Sequence, residues 1–211
     1  MKNVLAFFGA FNPPTVAHLK LAEFACRRTG REGVLFVPSQ TAYIRDSQKK
    51  DAAFSDEERL NMLKALAGHY PWMAVTDWEL RQAGQPRTYT TLCHLREEGY
   101  APSLLLGSDK LPELATGWKH VPEIASEFGI VCLARGTDSC RKIIESDPFL
   151  RGIAGRIEML ETPPDWKDIS STEVRNRLRE LRAIMEDLAR MVPAEILNFV
   201  KKSNADGGQT D

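Results

Sequence analysis

The sequence predicts an α/β fold: a doubly wound parallel sheet followed by C-terminal helices. Six short strand-like runs carry the prediction: Val4–Phe8, Val34–Pro38, Met73–Trp78, Ser103–Leu106, Ile130–Leu133 and Ile157–Leu160. The first, Val4–Phe8, is an apolar run that reads as a buried parallel strand. Helix-like segments separate them, and strand and helix in alternation imply parallel strands joined by helical crossovers.

Taken in order, the first run leads into Gly9-Ala10-Phe11-Asn12-Pro13-Pro14-Thr15-Val16-Ala17-His18, and Val16, Leu19, Ala22 and Cys26 then follow at helical spacing. This is a strand-loop-helix junction. After the second run, Ser39 to Phe54 lacks periodicity and reads as a mobile polar loop over the site, with Lys49 or Lys50 able to reach a phosphate. Ser55 opens a helix with Glu58 at the capping-box position and Leu60, Leu63 and Leu66 on its apolar side. The third run ends in Asp77-Trp78-Glu79 and is followed by Arg87-Thr88-Tyr89-Thr90-Thr91-Leu92. The fourth ends in Gly107-Ser108-Asp109, and the fifth leads to Ala134-Arg135-Gly136. Beyond the sixth, Ile169-Ser170-Ser171-Thr172-Glu173-Val174-Arg175 opens a helix whose apolar positions, Val174, Leu178, Leu181, Met185 and Leu188, alternate steps of four and three. Pro193 opens a short last helix to Lys202. A single domain over residues 1–202 is expected, with the polar, glycine-containing residues 203–211 disordered.

Composition narrows the function classes. The 211 residues are 43% apolar and 27% charged, ordinary for one globular domain. A net charge of −1 argues against a general nucleic-acid surface. No apolar stretch approaches the length of a membrane span, so a soluble cytoplasmic protein is expected, with a homo-oligomer left open. Cys26, Cys93, Cys132 and Cys140 lie far apart without a C-x-x-C pair, and read as reduced and mostly buried.

Two segments suit phosphate. At the first junction Gly9 lets backbone approach a ligand, Pro13 and Pro14 stiffen the turn, and the unpaired amides of the new helix form an anion site. Thr15 and His18, three residues apart, share a face once the helix has begun, so both can touch one phosphate. In the second segment Ser170, Ser171 and Thr172 suit a helix cap, and Arg175 one turn in adds charge-assisted bonds to a leaving pyrophosphate. In a doubly wound sheet ligands bind beyond the carboxyl ends of the strands, where both segments lie.

The pattern G-x-F-x-P-x-[H/T]-x-x-H, matched by Gly9, Phe11, Pro13, Thr15 and His18, resembles the signature of the nucleotidylyltransferase superfamily, and Ile169 to Arg175 resembles its I-S-S-T-x-x-R element. The resemblance implies a Rossmann-like sheet with ATP held by Gly9, Ala10, Phe11, Thr15, His18, Gly107, Asp109, Ile169, Ser171, Thr172 and Arg175. Asp77-Trp78-Glu79, the threonines that follow, Gly107-Ser108-Asp109, Trp118 and the strand ending in Arg135 narrow the likeness to the nicotinate/nicotinamide mononucleotide adenylyltransferases. For that family the acceptor mononucleotide is expected on Lys49, Trp78, Thr88, Thr90, Trp118 and Arg135, with Trp118 stacking on the pyridine ring. The match departs in two places. The spacing from Tyr89 to Leu92 is shorter than in bacterial S-Y-T-x-x-T-L, and Thr15-Val16-Ala17-His18 replaces the bacterial H-x-G-H.

The implied reaction is in-line attack by a mononucleotide phosphate oxygen on the α-phosphorus of ATP, releasing pyrophosphate, with His18 and Arg175 as catalytic residues. Mg²⁺ is expected to arrive with the triphosphate, because the sequence contains no carboxylate or His/Cys cluster dedicated to a metal. Two other readings stay open: a nucleotidylyltransferase acting on pantetheine phosphate or using CTP, and a nucleotide-binding sensor that does not turn over.

Overall fold

The structure is a computed structural model. It describes residues 1–49, 52–134, 139–163 and 170–191, with residues 187–191 described for backbone alone. Six strands are present: β1 (Lys2–Gly9), β2 (Gly33–Pro38), β3 (Met73–Val75), β4 (Tyr100–Gly107), β5 (Ile130–Leu133) and β6 (Ile157–Leu160). Between and after them run α1 (Val16–Thr29), α2 (Thr41–Asp46), α3 (Asp56–Ala67), α4 (Thr88–Glu97), α5 (Leu111–Thr116), α6 (Val121–Glu127), α7 (Cys140–Ser146), α8 (Pro148–Ile153) and α9 (Ser171–Met191). The chain forms two compact units, Met1–Ser171 and Thr172–Asp211.

The first unit holds one sheet in the order β3-β2-β1-β4-β5-β6, with every neighbouring pair parallel. Successive residues of a strand face opposite sides, and here both sides are apolar. On β4 and β5, Leu104, Leu106, Ile130 and Cys132 join one core with Leu92 and Leu95 of α4, Leu111 and Leu114 of α5, Ile124 of α6 and Ile144 of α7. Their neighbours Leu105, Val131 and Leu133 face the other way, into a core with Ala22, Ala25 and Cys26 of α1 and Leu63 of α3. Burial on both faces is why the runs read as continuous. The four cysteines are unbridged, and Cys26, Cys132 and Cys140 are buried.

The direction of winding reverses at β1. From it the chain moves outward to β2 and β3, then returns to build β4, β5 and β6 on the other side. That reversal opens a crevice at the carboxyl ends of β1 and β4. Phe7 pairs with Leu105. Gly9 and Gly107, each two residues further on, therefore end level with one another.

Three predicted boundaries are corrected. The third strand stops at Val75 rather than Trp78, because Thr76 makes the last bond to β2, through the Phe36 carbonyl at 3.1 Å, and Glu79–Arg81 then closes a 3-10 turn. The segment Ser39–Phe54 is not all loop: α2 occupies Thr41–Asp46 and is anchored by the fully buried Ile44. The fourth strand is longer than expected at both ends. The expected helix from Pro193 and the tail 203–211 lie outside the described residues.

Candidate functional site

The loop from Ala10 to Thr15 joins β1 to α1 at the mouth of the crevice and is held from behind. Phe11, 1% exposed, turns its ring back between Phe7 and Phe36, with centroids 5.4 and 5.2 Å away, so contact from this residue to a ligand would come through its backbone. Its φ of 43° is in the left-handed region that side chains rarely adopt, a local strain offset by that burial. Asn12, 2% exposed, accepts the Phe54 amide on Oδ1 at 3.1 Å. Both strand ends are crowded on the side where a side chain would project. A Cβ on Gly9 would come within 3.0 Å of the Phe11 ring, and one on Gly107 would sit 2.5 Å from Asp109 Oδ1. Asp109 itself is exposed, in the 3-10 turn Ser108–Lys110.

Arg59 of α3 ties this loop to the end of β2. Its guanidinium, with no exposed surface, donates to the Ala10 carbonyl at 2.5 Å, the Ser39 carbonyl at 2.6 Å and Asp56 Oδ1 at 2.5 Å. Asp56 also accepts the Thr41 amide at 2.7 Å and the Thr41 hydroxyl at 2.6 Å, which starts α2. Burial lowers the Arg59 pKa, and the Asp56 carboxylate opposes that shift. Sequence reading missed this residue. The available signal was a charge four positions before Leu63, on the buried side of α3.

Thr15 and His18 do meet, as a reciprocal capping box. Thr15 is the N-cap of α1, with extended backbone. Its amide donates to His18 Nδ1 at 3.0 Å, and its hydroxyl lies 2.7 Å from the same nitrogen. A backbone amide can only donate, so Nδ1 must supply a lone pair, and the ring proton of neutral His18 resides on Nε2. Phe11 supports the ring edge-on at 5.2 Å. Ser171, the last residue of the first unit, donates its hydroxyl to the Pro13 carbonyl at 2.8 Å. Within the second unit, Arg175 donates to the Thr172 hydroxyl at 3.1 Å at the start of α9.

Among the expected acceptor residues, Trp78 leaves the sheet after β3 and stacks on His94 of α4, with centroids 4.3 Å apart and planes 16° off parallel. Thr88 is half-buried and Thr90 exposed on the first turn of α4. Thr91 is fully buried, and its hydroxyl is given to Glu79 at 2.6 Å. Trp118 is partly buried against the first core. No ring contact or hydrogen bond joins Trp118 to Trp78 among the described residues. Lys49 is exposed, while Lys50, Arg135 and Ile169 lie outside the described residues. Among the described residues no group of three or more His, Cys, Asp or Glu is placed to hold a metal ion, and no helix is long and apolar enough to cross a membrane.

A parallel sheet with a crevice at its winding reversal, a glycine at each strand end there and a helix opening on that crevice defines a nucleotide-binding α/β protein. A family profile described as cytidylyltransferase-like matches residues 6–177. The chain belongs to that family and, within it, to the nicotinate/nicotinamide mononucleotide adenylyltransferases. It is 30% identical to a nicotinamide/nicotinic acid mononucleotide adenylyltransferase of Arabidopsis thaliana, over 82% of this chain and 78% of the relative. It is also 30% identical to a probable nicotinate-nucleotide adenylyltransferase of Dehalococcoides mccartyi, over 93% of each. In fold it is similar to the Plasmodium falciparum nicotinic acid mononucleotide adenylyltransferase complexed with NaAD, with a TM-score of 0.64 at 19% identity over 83% of each chain.

Proposed function

We propose that this chain transfers the adenylyl group of ATP to nicotinate or nicotinamide mononucleotide, forming deamido-NAD or NAD and releasing pyrophosphate. The observation that carries the reading is the crevice-facing start of α1, where the capping box holds His18 with its proton on Nε2. An oxygen of the mononucleotide phosphate, already ionised, forms the new bond to the α-phosphorus while the bond to the β-phosphate oxygen breaks. No general base is required. Charge builds on the nonbridging and leaving oxygens, so fixed donors stabilise the transition state more than the ground state. His18 and the first amides of α1 supply such donors, with Gly9 and Gly107 allowing close approach of the nucleotide. Asp109 is assigned to the ribose hydroxyls. Assignment of Ile169, Thr172 and Arg175 to the leaving phosphates rests on the I-S-S-T-x-x-R motif rather than on placement. Mg²⁺ enters as part of the substrate, carried by ATP.

On the acceptor side, Trp78 and the exposed first turn of α4 support recognition of the pyridine, with Trp118 and Arg135 assigned by resemblance. Thr88 and Thr90 are the threonines assigned to the pyridine, a reading that the burial of Thr91 supports. The test is pyrophosphate release from MgATP with each mononucleotide, the dinucleotide product confirmed by mass. Silence with both, alongside release with CTP or with pantetheine phosphate, would replace this reading with the corresponding other nucleotidylyltransferase. Nucleotide-dependent thermal stabilisation without any turnover would indicate a sensor.

A further inference from the structure

Glu79 touches none of the phosphate machinery, yet its carboxyl is 1% exposed and sits where three segments of the acceptor side meet. Thr91 of α4 donates its hydroxyl to Oε1 at 2.6 Å, and Gln85 donates its amide nitrogen to Oε2. Gln85 is itself oriented, because its amide oxygen accepts the Gln40 amide at 2.8 Å. Gln40, just before α2, extends its side chain to the carbonyls of Glu79 at 2.9 Å and Gln82 at 2.8 Å, and Gln82 donates to the Trp78 carbonyl at 2.9 Å. One carboxyl thus links the Trp78 turn, the first turn of α4 and the exit of β2.

We infer that Glu79 is a positioning residue for acceptor binding, holding Trp78 and the Thr88–Thr90 turn in the arrangement that receives the pyridine. This rests on the reading above that those residues meet the mononucleotide. Both fixed donors point at the carboxyl oxygens, so the ionised form satisfies all of them. The groups bonded to it, Thr91 and Gln85, are uncharged; of the charged or titratable groups nearby, Asp77 and Arg81 on its own turn pair with each other, His94 of α4 pairs with Glu98, and Arg87 precedes α4 as its exposed N-cap. Burial accordingly pushes its pKa up to about 7, against the pull of the Thr91 and Gln85 bonds.

Protonation has one outlet. The Gln85 oxygen is occupied by Gln40, so the new carboxyl proton can go only to Thr91 Oγ1. The Thr91 proton must then turn to the Arg87 carbonyl, 3.5 Å away. The bonds from Glu79 to Thr91 and Gln85 then lose the charge assistance of a carboxylate acceptor, and the acceptor side loosens as pH falls through neutrality.

The experiment is steady-state kinetics of the full chain between about pH 6 and pH 9, varying ATP and mononucleotide separately, for wild type, Glu79→Gln and Thr91→Val. Glutamine reproduces the protonated hydrogen-bond pattern at every pH. Its mononucleotide KM is expected to exceed wild type by about five- to tenfold at the alkaline end, the weight of roughly one hydrogen bond, and to converge with wild type at the acid end. Its KM for ATP should not move. The mononucleotide phosphate titrates near pH 6, but it does so for all variants and cancels in the ratio. Thr91→Val removes a donor that favours the ionised form and should shift the inflection to higher pH. A mononucleotide KM in Glu79→Gln equal to wild type throughout, or an equal rise in both KM values, overturns the proposal. Should Glu79→Gln fail to fold, an unmoved inflection in Thr91→Val does the same. Wild-type silence with both mononucleotides overturns the acceptor reading itself, a distinct result.

Discussion

Replacing Arg59 with methionine tests whether the buried guanidinium clamps the nucleotide loop or merely fills space. Methionine keeps most of the apolar stem but removes three short bonds, to Ala10, Ser39 and Asp56. Asp56 is 40% exposed and keeps both Thr41 donors, so water can take over its lost bond. The two carbonyls cannot all recover partners, and at about 1–3 kcal/mol for each unsatisfied group the loss should be roughly 2–5 kcal/mol. For a chain of this size that corresponds to a Tm lower by about 5–20 °C. Asp56→Ala should cost at least as much, about 3–5 kcal/mol, because it strands a fully buried cation. The double variant should cost clearly less than the sum of the two, with a coupling of about 1–3 kcal/mol. Denaturant unfolding of the four proteins gives the cycle. A loss within roughly 1 kcal/mol for Arg59→Met, the range of an exposed ion pair, or strict additivity would refute the reasoning.

His18→Ala and Arg175→Ala should fold normally and lose about 10²–10³ of kcat, and wild-type turnover in either purified variant removes that residue from its role. Thr15→Ala should lose about 1 kcal/mol of stability with its cap and more activity than that loss explains, while Thr15→Ser retains both; equal activity in the two would detach the cap from the chemistry. Trp118→Ala should raise the mononucleotide KM and spare the KM for ATP, and an unchanged acceptor KM would take it out of the site. Because the folded pKa of Glu79 lies above its ordinary value, the native state holds a proton that the unfolded chain has released between about 4.5 and about 7. Wild-type stability should therefore fall, relative to Glu79→Gln, as pH rises through that window and stay level above it, and parallel stability profiles of the two proteins would exclude the shift.

The parallel sheet was legible because its interior strands β1, β2, β4 and β5 are apolar on both faces, leaving short continuous runs rather than the stripe of an amphipathic helix. Capping chemistry was equally plain at Ser55 and Glu58, whose box forms as expected with the amide of Ser55 holding the Glu58 carboxylate below its usual pKa. The helix α2 was not legible: its six residues contribute one buried apolar side chain, and Gln40 before it makes no capping bond of its own. Instead Asp56, fifteen residues on, holds its first turn, a contact that no local window contains. Arg59 and Glu79 escaped for a related reason. Charged letters read as surface, and only the fold supplies the carbonyls, hydroxyl and amide that make burial tolerable. The two phosphate motifs were visible as motifs, but the choice between Thr90 and Thr91 depended on which way α4 is turned.

With the role proposed for His18, its capping box with Thr15 makes one turn of helix a working part. Helix ends fray at far lower free energy than a domain unfolds, and here fraying would release the amide that dictates the position of the imidazole proton. Heat should therefore disarm this protein before it melts, with catalysis failing at the opening of a single turn while the sheet beneath stays intact.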